Sequence, residues 1–321
     1  MERINMFNEN QYKKMVVKVL KNKYSNEKFI LDKFIDGTIN HVYSARSEKR
    51  DIVIRINHNF KYSDFEKEKW AFGQIKKQGV PVPTFVYLDT SRKVILRDYV
   101  IYKRVIGKPL SSYFKDFHIT KDDIKKLIPV MRETGFYMSK IHNVKMDSFG
   151  YLRKNVDGYH GISHSLQDSI MPRAVLFRMA EDGVIKKDFV NQITKEITWG
   201  AVNFKADPVL LHLDLHASNL IVDDSLKIKA FVDMENAMAG DPLMEFARLN
   251  RFYYKNPELF EAVKDGYENK KIFTSDYKEK IRVYAIKFGS DLLPFYYKRN
   301  DMKWVKQLEN YVMHLLKGKG V

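Results

Sequence analysis

The chain has 321 residues, no cysteine and a formal net charge of +16 at pH 7. The lack of cysteine excludes disulfides, thiolate metal sites and cysteine nucleophiles, and with no apolar signal segment or membrane span in view we expect a cytoplasmic protein. The charge favours anionic partners, and because the lysines are scattered rather than massed in one block, we expect nucleotides rather than nucleic acid.

Residues 29–105 are predicted to form strands with one helix between them. β-branched and aromatic residues indicate a hairpin around Gly37 in 29–46, one strand in 51–57, and two strands joined at Arg97-Asp98 in 93–107.

The segment 63–79 has helical character and its own start and stop signals. Ser63 and Glu66 have the spacing of a capping box, and Gly79 is placed to end the helix.

After Gly107 the pattern becomes mostly helical. We expect a helix over 120–142, loops over 145–165, helices over 167–204 and 243–316, and short strands over 209–233 with a turn at 223–225. The change in pattern predicts two regions, 1–105 and 106–321.

Polar side chains stand beside apolar, strand-like runs in HLDLHASN (212–219) and FVDMEN (231–236). Carboxylate and amide oxygens suit Mg²⁺ that also binds phosphates, and phosphoryl transfer needs a carboxylate to orient the acceptor hydroxyl. We therefore predict Asp214 as the catalytic carboxylate, with Asn219 and Asp233 as Mg²⁺ ligands.

The two histidines of this segment, His212 and His216, invite a zinc interpretation. The pair lacks the intervening Glu and the helical context of a zinc motif, so we favour a bracing role for His212. His216 either contacts the acceptor or braces the loop. Glu235 is either a further group at the metal or a structural acceptor, and the sequence leaves both pairs of alternatives open.

The spacing H-x-D-x-x-x-x-N, followed after fourteen residues by Asp and then by GDP (240–242), resembles the aminoglycoside phosphotransferase and choline-kinase-like family of the protein-kinase-like fold. Two features differ from protein kinases: Leu213 replaces Arg, and the tripeptide D-F-G is absent. The resemblance implies a two-lobed α+β fold. A small β-rich N-lobe (1–105) would bind the nucleotide, and a larger helical C-lobe (106–321) would carry the catalytic loop and the acceptor site.

The same resemblance implies further site residues. Arg55 would hold the nucleotide phosphates where the family usually has Lys, oriented by Glu68, with Glu66 as the competitor. Asp241 would stabilise the catalytic loop. The remaining implied contacts are a phosphate loop at Gly37, Thr38 and Asn40, and a base-binding hinge at Lys103, Arg104 and Val105.

The resemblance finally implies transfer of the γ-phosphoryl of ATP or GTP, with Mg²⁺, to a hydroxyl of an antibiotic, of the aminoglycoside type or another, conferring resistance. A metabolic alcohol such as choline, methylthioribose or homoserine is the alternative acceptor, and a non-catalytic nucleotide-binding module is the alternative class. The +16 charge weighs against a polycationic acceptor. Aromatic residues in 252–254 and 295–297 would line the acceptor pocket, although core packing is the favoured interpretation of both.

Overall fold

The computed structural model describes residues 9–33, 40–58, 63–114, 119–172 and 174–318. The chain divides into two compact units. The first comprises Met1–Phe72 and Val82–Ile106, and the second comprises Gly73–Pro81 and Gly107–Val321. Within the described ranges, no helix combines the length and the apolar character that crossing a bilayer requires.

Five antiparallel strands form the sheet of the first unit. They are β1 (Ile30–Lys33), β2 (Asn40–Arg46), β3 (Asp51–Asn57), β4 (Phe85–Asp89) and β5 (Tyr99–Lys103). Their order across the sheet is β1-β2-β3-β5-β4. Helix α1 (Glu9–Lys23) precedes the sheet, and helix α2 (Phe65–Lys77) follows β3.

The core of the first unit explains which face of β3 carries Arg55. Ile52, Ile54 and Ile56 are buried in one apolar cluster with residues of α1. Because side chains alternate across a strand, Arg55 points to the opposite face of the sheet.

Sequence predictions for this unit are confirmed at some elements and wrong at others. The hairpin of 29–46 and the strand of 51–57 are present as β1, β2 and β3. Of the two strands predicted in 93–107 only β5 forms, and it pairs with β4 instead. The carboxylate of Asp98 accepts from the Ser63 backbone N–H at 2.9 Å and from Arg92 Nε at 2.7 Å, which holds the preceding segment in bends.

The predicted capping box at the start of α2 is also absent. The helix begins at Phe65, two residues after Ser63, and the Ser63 hydroxyl is buried without a hydrogen-bond partner among the described residues. The predicted end is confirmed: Gly79 follows the helix with φ of +80°, a conformation that glycine adopts at no steric cost.

The second unit contains two small antiparallel sheets and most of the helices. Its strands are β6 (Lys108–Pro109), β7 (Phe149–Lys154), β8 (Tyr159–Ser163), β9 (Val209–Leu211), β10 (Leu220–Val222), β11 (Ile228–Phe231) and β12 (Met238–Gly240). One sheet has the order β11-β10-β6 and the other has the order β8-β7-β12-β9.

Eight helices complete the described part of this unit. They are α3 (Lys121–Ile141), α4 (Leu166–Ile170), α5 (Val175–Glu181), α6 (Lys187–Asn203), α7 (Leu243–Tyr253), α8 (Pro257–Gly266), α9 (Tyr277–Lys298) and α10 (Met302–Leu316). The predicted helical segments are thereby confirmed, and Thr120 caps α3 in a capping box with Asp123.

The loop predicted over 145–165 is wrong, because β7 and β8 form a hairpin there. One glycine of this hairpin is needed because the two strands approach each other closely. A Cβ at Gly161 would lie 2.2 Å from the carbonyl oxygen of Phe149, so only glycine fits this strand pair. The hairpin also depends on β12, which pairs with β7 from about 90 residues further along the chain.

Helices α3 and α8 approach each other at two glycines. A Cβ at Gly135 would lie 1.9 Å from the carbonyl oxygen of Val263, and one at Gly266 would lie 1.8 Å from that of Arg132. The two backbones therefore touch directly, and neither position has room for a side chain.

Gly135→Ala should lower the free energy of unfolding by about 1–3 kcal/mol, because the added methyl group forces the two helices apart. Urea denaturation measures the change. Gly73→Ala is the matched control, since a Cβ there meets no atom within 4 Å, and alanine in a helix is more stable than glycine by about 0.5–1 kcal/mol. A Gly135→Ala protein as stable as the parent would contradict the close crossing.

Candidate active site

The predicted catalytic residue Asp214 lies on a loop that connects β9 to β10. Its carboxylate is largely buried and has polar neighbours on both oxygens. Arg248 Nη2 lies 3.3 Å from Oδ1, and Asn219 Nδ2 donates to Oδ2 at 3.2 Å. His216 Nε2 lies 3.6 Å from Oδ2. The structure thus brings three of the predicted loop residues together and adds Arg248, which the sequence analysis did not single out.

Electrostatics keep Asp214 ionised. Burial raises the pKa of its carboxyl, but the hydrogen bond and charge of His216 and the charge of Arg248 outweigh burial and bring the pKa well below its usual range. Such a carboxylate is a weak base at neutral pH. It is therefore suited to orienting an acceptor hydroxyl by a hydrogen bond. It would take the hydroxyl proton late in a reaction, once the hydroxyl oxygen has begun to form its new bond and its proton has become acidic.

The side-chain amide of Asn219 is held in place by Asp214. Its amide nitrogen donates to the backbone carbonyl of Asp214 at 2.8 Å as well as to the carboxylate, so its amide oxygen points the other way. The backbone N–H of Val232 donates to the carbonyl of Asn219 at 3.0 Å, which places Asp233 beside Asn219 across the β10–β11 hairpin.

The donor set at this hairpin fits Mg²⁺. A carboxamide oxygen and a carboxylate are hard ligands, and Mg²⁺ in phosphoryl-transfer sites takes one or two protein carboxylates with phosphate and water oxygens. Asp233 has φ of +67°, an uncommon conformation for a residue other than glycine. No group of three or more His, Asp or Glu side chains suited to a metal ion occurs within the described ranges.

His212 braces the loop through both ring nitrogens. The Asp214 backbone N–H donates to Nδ1 at 3.3 Å, and Nε2 donates to the Val232 carbonyl at 3.1 Å. The side chain is fully buried. Because both nitrogens are engaged in this way, the ring connects the catalytic loop to the strand that leads to Asp233, which agrees with a bracing role and not with zinc ligation.

Glu245 on α7 is a residue that the sequence analysis missed. Its fully buried carboxylate accepts the backbone N–H groups of His212 and Leu213 at 2.7 and 2.8 Å. Leu213 has φ of +60°, so these bonds hold the chain in a strained turn just before Asp214. The available signal was a single acidic residue inside the apolar run LMEFA, since a buried charge needs hydrogen-bond partners.

Asp241 lies one turn before Glu245 and anchors the start of α7. It accepts the Leu243 backbone N–H and the Tyr284 hydroxyl, both at 2.9 Å, and burial raises the pKa of its carboxyl. These contacts agree with the supporting role that the sequence predicts. Glu235 is buried in the same region, and its role stays a prediction.

The predicted phosphate cation of the first unit has the predicted partner. Arg55 Nη1 donates to both carboxylate oxygens of Glu68, at 2.8 and 3.0 Å, and the Tyr102 hydroxyl donates to the same carboxylate at 2.9 Å. Glu68 is fully buried, whereas the competitor Glu66 is exposed. The geometry therefore favours Glu68.

Two backbone N–H groups of the predicted hinge already form hydrogen bonds within the first unit. The N–H of Lys103 donates to the Thr84 carbonyl at 2.9 Å, and that of Arg104 donates to the Asp51 carbonyl at 3.0 Å. Val105 N–H has no backbone acceptor among the described residues. Of the three predicted hinge residues, Val105 therefore has the backbone N–H best suited to contacting a base.

The other predicted contacts divide between described and undescribed residues. Asn40 is buried at the start of β2, opposite Asn57 of β3. Gly37 and Thr38 lie outside the described residues. In 252–254, Tyr253 is buried in the core, while the Phe252 ring lies 5.3 Å from the His216 ring, so this aromatic segment contributes both to the core and to the surroundings of the loop.

Comparisons with known proteins identify the family and the fold of this chain. The sequence model of the phosphotransferase enzyme family, APH, matches residues 32–280. A search among curated proteins finds no match. Crystal structures of aminoglycoside phosphotransferase APH(4)-Ia share the fold, with a TM-score of 0.73, 18% identity, and coverage of 95% of this chain and 98% of that one.

A second solved structure, the complex of APH(2")-IIIa with GDP and kanamycin, has a TM-score of 0.63 and 13% identity over 96% of this chain and 99% of that one. A thermostable APH(4)-Ia mutant with ADP and hygromycin B has a TM-score of 0.72 and 18% identity over 94% and 97%. The expected α+β, protein-kinase-like fold is confirmed.

Glu245→Gln should cost about 1–3 kcal/mol of folding stability, because glutamine offers one acceptor oxygen to two inward-pointing N–H groups. Urea denaturation tests this, and a nucleotide-consumption assay tests whether turnover falls further than stability. Glu181→Gln, an exposed change of the same kind on α5, is the control. Full stability of Glu245→Gln would argue against the proposed anchoring of the loop.

Proposed function

Because this chain belongs to the phosphotransferase enzyme family, we propose that it is a small-molecule kinase that transfers the γ-phosphoryl of ATP or GTP to a hydroxyl of its acceptor. The carrying observation is the arrangement around Asp214: an ionised carboxylate flanked by Arg248 and Asn219, with Asp233 beside Asn219.

Asp214 orients the attacking group in this proposal. The acceptor hydroxyl donates its hydrogen bond to the carboxylate and attacks the γ-phosphorus. The new acceptor O–P bond forms as the bond between phosphorus and the β,γ-bridging oxygen breaks, and the nucleoside diphosphate leaves with that electron pair. The hydroxyl proton passes to Asp214, where the low pKa of the carboxyl favours a late transfer.

Asn219 and Asp233 would hold Mg²⁺ through the amide oxygen and the carboxylate. When bound, Mg²⁺ neutralises charge on the phosphate oxygens. The amide nitrogen of Asn219 stays bonded to the Asp214 carbonyl. The side chain of Asn219 would therefore bind the metal through its oxygen and fix the distance to Asp214 through its nitrogen.

The first unit would bind the nucleotide. Glu68 holds the Arg55 guanidinium through Nη1, and the planar fork of arginine suits phosphate oxygens. Val105 N–H and the Lys103 carbonyl would bind the edge of the base, which presents an acceptor and a donor side by side. Gly37, Thr38 and Asn40 would contact the phosphates.

The identity of the acceptor separates two candidate functions. Complexes of the fold relatives with hygromycin B and kanamycin support an antibiotic acceptor and hence a resistance function. A metabolic alcohol is the second candidate, and one observation favours it: Arg248 and Arg251 stand on α7 beside the catalytic loop, where positive charge opposes a polycationic aminoglycoside.

Asp214→Asn should reduce phosphoryl transfer by roughly 10²–10⁴-fold while leaving nucleotide affinity nearly unchanged, because the amide cannot accept the proton. The test is nucleotide consumption with Mg-ATP and Mg-GTP over aminoglycosides, macrolides and small alcohols. Asp157→Asn, an exposed change in the β7–β8 turn, is the matched control.

Asp233→Ala should in addition weaken binding of the Mg-nucleotide, measured by calorimetry with and without Mg²⁺. Full activity of Asp214→Asn would refute the assignment of the catalytic carboxylate. Nucleotide binding without turnover on any acceptor, in the parent protein, would favour the binding-module alternative.

A further inference from the structure

Two arginines of α7 lie one turn apart and differ in their partners. Arg248 donates through Nε to the Leu213 carbonyl at 2.8 Å and lies against the Asp214 carboxylate. Arg251 is partly buried, and its Nη1 atom is fully buried without a hydrogen-bond partner among the described residues. The second guanidinium therefore has donor capacity that the described structure leaves unused.

Arg251 stands close to the catalytic loop. Its guanidinium carbon lies 4.7 Å from the centre of the Phe252 ring, and the same ring lies 5.3 Å from the His216 ring. His216 in turn lies 3.6 Å from the Asp214 carboxylate. One aromatic ring thus separates the unused guanidinium from the residues at the catalytic carboxylate.

A small cleft opens between these arginines and the helices α9 and α10. It is lined by Ala247, Arg248, Arg251, Phe288, Gly289 and Tyr311, with about 10 Å³ of space for a water-sized group. The cleft therefore has room for about one water-sized atom, such as a single oxygen of an anion, and not for a sugar ring.

The charges around the cleft do not balance. Arg248 and Asp214 both act on the charge of Arg251, and Asp214 already serves Arg248. Burial, and after it the charge of Arg248, lower the pKa of the Arg251 guanidinium, while Tyr296 and Asp214 raise it. Arginine stays protonated in proteins, so the net positive charge persists.

A buried cation of this kind is costly unless an anion or hydrogen-bond acceptor meets it. The Phe252 ring face offsets only part of that cost. The free Nη1 group and the cleft beside it are therefore preorganised for an oxyanion.

We propose that Arg251 binds an anionic group of the acceptor, a carboxylate or a phosphate, while the acceptor hydroxyl lies against Asp214. This inference rests on the proposed function and narrows its substrate class. The acceptor is a hydroxylated acid or a phosphorylated alcohol, and one oxygen of its anionic group enters the cleft. Polycationic aminoglycosides are excluded as good substrates.

The first test is calorimetric titration with inorganic sulfate at constant ionic strength, with Mg-ADP saturating the nucleotide site. The parent protein should bind one sulfate saturably, and Arg251→Gln should weaken that binding by roughly 30-fold or more. Arg251→Lys, which keeps the charge and loses the fork, should fall between the two. Arg178→Gln, an exposed arginine on α5, should bind like the parent.

Three results would overturn the proposal: no saturable sulfate binding, equal binding by the parent and Arg251→Gln, or binding that disappears in Arg55→Gln while Arg251→Gln retains it. The last result would mean that sulfate binds at the site for the nucleotide phosphates and not at Arg251. Failure of Mg-ADP to bind would instead count against the proposed function. It would leave the Arg251 proposal testable, because sulfate can also be titrated into the protein without nucleotide.

A second test uses acceptor pairs in the nucleotide-consumption assay: glycerol with glycerate, glucose with glucuronate, and kanamycin as the polycation. Turnover confined to the anionic members, with an acceptor KM raised in Arg251→Gln and an unchanged nucleotide KM, would support the proposal. Equal turnover of kanamycin by the parent and by Arg251→Gln would overturn it. If none of these compounds is phosphorylated, the sulfate titration alone decides.

Discussion

The catalytic loop depends on one buried carboxylate. Glu245 accepts two successive backbone N–H groups at the turn before Asp214, and Arg248, three residues later on the same helix, bonds the Leu213 carbonyl and the Asp214 carboxylate. A single turn of α7 therefore positions both the backbone of this loop and the side chain of Asp214, the predicted catalytic residue. Without Glu245 the two N–H groups would be buried unsatisfied, and the strained turn would lose its support.

The two units use buried charge in different ways. In the first, Arg55 and Glu68 form a buried pair in which Tyr102 satisfies a further lone pair. Such a pair adds little net stability but holds the guanidinium in one orientation. In the second, Arg248 is paired and Arg251 retains an unsatisfied donor. Pairing thus gives a positioned cation in one unit, and incomplete pairing leaves an anion site in the other.

The sequence predicted those features whose partners lie within a short stretch of chain or at a family spacing. Asp214, Asn219 and Asp233 belong to one strand-turn-strand segment. Arg55 lies in β3, and Glu68 lies in α2, the next element along the chain. Glu245 and Arg248 escaped prediction because their contacts with the loop are tertiary, across more than 30 residues. The β7–β8 hairpin escaped for the same reason, since β12 completes its sheet. Gly37 and Thr38 stay predictions.

Leu213 and Asp233 both adopt a left-handed backbone conformation, at two bends that flank the β10–β11 hairpin. Each costs on the order of 1 kcal/mol or more relative to a glycine at the same place. Glycine would relieve this strain at either position, but it would also remove a side chain that the protein uses. Leu213→Gly would delete a buried leucine, and truncations of that kind cost about 2–5 kcal/mol. Asp233→Gly would delete the carboxylate that is proposed to hold Mg²⁺, so the strain at both bends is retained together with the side chains that cause it.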